Sequence, residues 1–111
     1  EVFANSSNLF ARNGDIKLEA NNMELSKTLI NASKELNLLA FMDVKAQDVN
    51  IQANKIDIVS DNLILSNENT NTQDYNSKLI SQTTLDINAN SVKNVNGHLG
   101  ASHIHDIAQQ E

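Results

Sequence analysis

A repeat of about seven residues governs what this chain can fold into. Val49, Ile51 and Ala53 are followed by Ile56, Ile58 and Ser60, then by Leu63, Leu65 and Asn67, and Met42, Val44 and Ala46 precede them in the same phase. Each unit reads apolar-x-apolar-x-small-x-x. Looser copies lie at Ile16, Leu18 and Ala20, at Ile30 and Ala32, at Leu36, Leu38 and Ala40, and at Leu85, Ile87 and Ala89. The steps within a unit are two, two and three, whereas a coiled-coil seam steps by three and four. On an α-helix, residues two apart lie about 200° apart around the axis, so Val49 and Ile51 would face opposite sides. On a strand they share one face. The β-branched Val and Ile at these positions also suit a strand. The expected fold is therefore all-β, with short strands and a corner wherever the step of three resets the phase.

The repeat also constrains assembly. One unit buries two large side chains and a small one, which contributes about 4 to 6 kcal/mol. Ordering its seven residues costs on the order of 10 kcal/mol. An isolated strip of such units is unstable and must wrap against something. The period is shorter than the roughly 20 to 30 residues per turn of single-chain solenoids. The simplest partner is the same strip on sister chains. The expectation is an intertwined trimeric β-helix or β-prism with the apolar triplets at its centre. Closure around an axis would also remove lateral sheet edges, which otherwise promote aggregation.

Turn chemistry agrees with many similar, shallow corners. The chain has no proline and three glycines but 18 asparagines. Asparagine tolerates left-handed backbone and caps its own turns. With only Phe3, Phe10, Phe41 and Tyr75 aromatic, a thick conventional core is not expected. The net charge of −6 and the lack of a basic stripe argue against nucleic acid as a partner. Nor is there a polybasic segment for anionic lipid. The absence of cysteine excludes disulfides and thiolate metal sites. No apolar run approaches the ~18 residues of a membrane-spanning helix. A first residue of Glu1 suggests a fragment of a longer protein.

Three regions follow. Residues 1–13 are unpatterned and read as an N-terminal linker or the start of a shaft, and residues 14–97 carry the repeats of the shaft. Residues 98–111 read as an apex. The repeat fades between Glu68 and Lys78, where a solvated loop or a hydrated polar zone is expected. Dispersed carboxylates at Asp15, Glu19, Glu24, Asp48, Asp57 and Asp61 read as a solvated face. No phosphate loop or nucleophile elbow is present.

The apex holds all three histidines, two of them in Ser102-His103-Ile104-His105. Alternate strand residues project to one side, so His103 and His105 would lie together and Ile104 would point outward or into the wall. His98, bracketed by Gly97 and Gly100, reads as a surface or turn histidine.

Strand repeats over residues 14–97 leading into Gly100-Ala101-Ser102-His103-Ile104-His105 resemble the central, membrane-piercing spike of contractile phage tails and R-type pyocins. The resemblance implies a homotrimeric β-helix narrowing to an apex, where a His-x-His from each chain binds one iron ion. It assigns His103 and His105 as metal ligands, three chains supplying six imidazoles in an octahedron. Zinc prefers four tetrahedral ligands, so iron or nickel suits such a site better, other transition metals remaining open. The resemblance further implies a virion location at the tail baseplate tip. The partners would be baseplate or tail-tube proteins, bound through an upstream domain, and a host outer membrane that is pierced rather than specifically bound. Two departures stand out. No OB-fold domain of the kind that usually precedes such a shaft is recognisable in these residues, which fits a fragment, and Asp106 to Glu111 lack the glycine-rich character of such tips.

The expected role is thus mechanical and non-enzymatic. An enzyme rival, a cupin-like metal site, lacks a later histidine. Other rivals are a trimeric β-helical fibre or adhesin segment that recognises glycans, and the β-prism of a type VI secretion spike, which usually relies on a separate sharpening protein.

Overall fold

The computed structural model describes residues 2–5, 7–66, 78–95, 98–100, 103–106 and 109–110. Every described element is a strand and every strand pairing is parallel. The eleven strands join one sheet that curls around a single apolar interior.

The sheet is organised as three ladders. The first stacks β1 (Val2–Asn5), β4 (Met23–Ser26) and β6 (Asp43–Gln47), then residues 62–66 of β7 (Asn50–Ser66), residues 91–95 of β8 (Lys78–Val95) and β11 (Gln109–Gln110). The second stacks β2 (Asn8–Ala11), the beginning of β5 (Leu29–Ala40), the beginnings of β7 and β8, and β9 (His98–Gly100). The third stacks β3 (Ile16–Ala20), the later part of β5, the middle of β7 and β8, and β10 (His103–Asp106). The chain visits the three ladders in turn and then returns to the first, one rung further on.

The register explains the repeat. Ile30 pairs with Ile51, 21 residues later, and Met23 pairs with Val44 at the same interval. Three seven-residue units therefore make one coil. Parallel neighbours need a long crossover connection, usually a helix. Here the other two strands of the coil supply it.

Stacking like on like creates continuous columns. Leu36, Ile56 and Leu85 form one, and Leu38, Ile58 and Ile87 another. All six are at most 1% exposed. The small third position also stacks, with Ala32 on Ala53 and Ala53 on Ser81 at the turn from the second ladder to the third. No aromatic side chain enters the core among the described residues. The apolar columns are buried within one chain, each coil covering the next. The seven-residue period looked too short for a single-chain solenoid because it measures one side of a coil rather than a whole turn.

The end coil shows what each rung needs. Leu9, Ala11, Ile16 and Leu18 occupy the columns of Ile30, Ala32, Leu36 and Leu38, yet they are only partly buried. They have a rung on one side only. Residues 2–5 and 8–11, unpatterned in sequence, belong to this first coil.

Corners follow two chemistries. Between the first and second ladders, Lys27 and Asp48 adopt left-handed backbone, with φ of 47° and 53°. Lys27 N donates to Gln47 O at 3.0 Å and Asp48 N to Ser66 O at 3.0 Å, so the stacking continues through the corner. Asp48 is 2% exposed, which corrects its expected place on the solvated face: the tight left-handed corner draws it inward. Thr28, next to Lys27, is fully buried and its Oγ1 donates to Ser26 O at 2.8 Å. Met42, expected to open an apolar triplet, is 53% exposed, because Val44 is the residue in register with buried Met23. Between the second and third ladders, Asp15 Oδ1 accepts from Glu35 N at 2.9 Å, and Ser81 Oγ shares its one proton between Asn54 O at 2.8 Å and Thr84 O at 2.7 Å. The polar stretch of residues 69–74 lies outside the described residues.

Candidate metal centre

The backbone of His103 and His105 lies in β10, on the last rung of the third ladder. The register pairs His103 with Thr84, Ile104 with Leu85 and His105 with Asp86. The side chains of residues 103–106 lie outside the described residues. Their columns are nonetheless informative. Ile104 continues the column of Leu36, Ile56 and Leu85, all fully buried. His103 continues that of Glu35, Lys55 and Thr84, and His105 that of Asn37, Asp57 and Asp86. The backbone register alone sets these columns side by side.

Charge on these outer columns is uneven. Glu35 and Lys55 pair as opposite charges, with Nζ and Oε1 3.7 Å apart. The next column places Asp57 directly beside Asp86. Partial burial lifts the Asp57 carboxyl above its ordinary value, the Asp86 charge adds to that, and Lys55 opposes it. Position 105 therefore follows two carboxylate positions in succession. This adjacency was hidden in the sequence, because Asp57 and Asp86 are 29 residues apart, an interval lengthened by residues 67–77.

As a donor set, His103 and His105 fit a transition metal when neutral, and the metal would leave on acidification as the imidazoles protonate. The two imidazoles of one His-x-His pair are by themselves too few to enclose an ion. A closed site built from such pairs needs more than one chain. Among the described residues, no three His, Cys, Asp or Glu side chains come together as a metal-holding group. His98 is in β9 and in register with Lys78, so its backbone is in a strand rather than a turn.

Compared with protein-family models, with curated proteins and with solved structures, the chain matches none.

Proposed function

We propose that this chain forms the shaft and tip of an envelope-puncturing spike in a contractile injection machine, a mechanical part that performs no chemistry. The observation carrying this reading is the continuity of the columns. The rungs that stack from Ile16 through Leu36, Ile56 and Leu85 run on in register into the strand bearing His103 and His105. A stiff, hydrogen-bonded stack thus leads to paired imidazoles at one end. In this reading the working form is an intertwined homotrimer at the baseplate tip of a virion. Six imidazoles from His103 and His105 of three chains hold one iron, which keeps the chain ends from fraying. The columns permit such a braid, since three units return each chain to the same side whether its neighbour is its own next coil or a sister strand.

The test is to measure oligomeric state and metal together. Purified protein is expected to run as an SDS-resistant trimer with about one iron per three chains, and His103→Ala with His105→Ala is expected to remove the metal. A metal-free monomer would overturn the reading.

A second reading is favoured by a specific observation: the apolar columns are buried within one chain, each coil covering the next. This is a self-coiled segment of a fibre or adhesin, working through its outer faces. It requires a monomeric coil without metal, so the same measurement separates the two.

A further inference from the structure

We infer that the outer face of the second ladder is a binding site for a neutral oligosaccharide. The inference rests on the self-coiled second reading and gives that coil a ligand.

The three outer faces differ in chemistry. The third ladder displays Lys17, Glu19, Asp57 and Asp86, and the first displays Glu24 and Lys45. On the second ladder the register stacks Phe10, Asn31, Gln52 and Ile80 into one outer column. No member of that column is charged, in a chain where 20% of residues are. Phe10 is 62% exposed although phenylalanine is usually buried. Two adjoining grooves flank the column, of about 140 Å³ beside Phe10 and about 270 Å³ beside Ile80, and both are lined by Asn31 and Gln52.

This arrangement matches one ligand chemistry. An amide offers both a donor and an acceptor, which is what vicinal hydroxyls require. An exposed phenyl ring offers a flat apolar surface for the C–H face of a pyranose. The side chain of Gln52 is also held, its Nε2 donating to Asn50 Oδ1 at 2.9 Å, so less rotamer freedom is lost on binding. The absence of charge from this column and from the lining of both grooves removes the handle for phosphate, sulfate or carboxylate groups there, Lys78 standing in the neighbouring outer column beside Asn50. The net charge of −6 repels polyanions as well. Four rungs spaced by roughly 4.8 Å span about 14 Å, room for a short run of sugar rings along the stack.

The experiment is titration calorimetry of the full chain with N-acetylchitohexaose, maltohexaose and mannohexaose, alongside sedimentation equilibrium and metal analysis. At least one hexasaccharide is expected to bind. Phe10→Ala and Gln52→Ala should each weaken it at least tenfold, and Lys45→Ala on the first ladder should leave it unchanged. Both substituted side chains are exposed, so circular dichroism should report intact folding. A metal-free monomer that binds none of the three sugars, or binds one equally well in both variants, would overturn the inference and spare the coil. An iron-bearing trimer would overturn the second reading and this column with it. Self-association abolished by Phe10→Ala would instead make the face a contact between copies and refute the sugar site.

Discussion

Ser60 and Ser81 are two buried serines that should respond oppositely to the same substitution. Ser60 is 7% exposed and stacks on Ala89, and its Oγ has no hydrogen-bond partner among the described residues. Ser81 is 4% exposed and stacks on Ala53, but its Oγ shares its one proton between Asn54 O and Thr84 O at the corner. A buried hydroxyl without a partner forfeits its hydration for nothing, which costs about 1 to 3 kcal/mol. Ser60→Ala removes that hydroxyl, and the alanine already present at position 89 shows that the column accepts a methyl group. The expected gain is about 1 kcal/mol, since part of the lost hydration is recovered by local relaxation. Ser81→Ala instead removes the one proton that Thr84 O and Asn54 O share; Asn54 O keeps Thr83 Oγ1 as a donor at 2.8 Å, so Thr84 O is the carbonyl left short, with an expected loss of about 1 kcal/mol. Urea unfolding followed by circular dichroism would measure both. The midpoint should rise for Ser60→Ala and fall for Ser81→Ala, with the slope unchanged in each. For a chain of this size, 1 kcal/mol corresponds to a melting shift of about 4 °C. A neutral or destabilised Ser60→Ala would refute the argument, because it would mean that the hydroxyl is satisfied.

Three further outcomes follow from the same columns. Lys27 is exposed and left-handed, a conformation that costs a residue with a Cβ about 1 kcal/mol, so Lys27→Gly should raise stability by a similar amount in a urea titration. Asp57→Asn should stabilise at neutral pH by about 0.5 kcal/mol, the order expected for relieving like charges on neighbouring strands. Because the folded-state value of Asp57 is raised, the native chain binds its proton more readily than the unfolded one. The penalty is full above the folded value and fades as pH falls toward 3.8, so the variant's advantage should shrink across that window in unfolding curves taken at successive pH values. Ile56→Ala, in the middle of a fully buried column, should cost about 2 to 5 kcal/mol and lower the urea midpoint sharply.

Much of the fold was legible in the chain itself. Alternation of Ile51, Ala53, Ile56 and Ile58 with polar residues names both the strands and their inner faces, because side-chain direction on a strand depends only on parity. The small residues at Ala32 and Ala53 close their apolar triplets in the sequence, and the structure stacks them at a corner. What parity does not carry is the identity of the neighbour. Each seven-residue unit resembles the next, so the local pattern is equally content beside a sister chain or beside its own copy 21 residues on. It is the register of the coil, with Ile30 on Ile51 and Met23 on Val44, that names the neighbour of each strand within one chain. The same holds for Asp48, whose charge suggests solvent while the left-handed corner buries it, and for Asp57 and Asp86, which meet only through the register. Periodicity is a property of one strand. Stacking is a property of the whole winding, and it depends on a loop closure that no single repeat encodes.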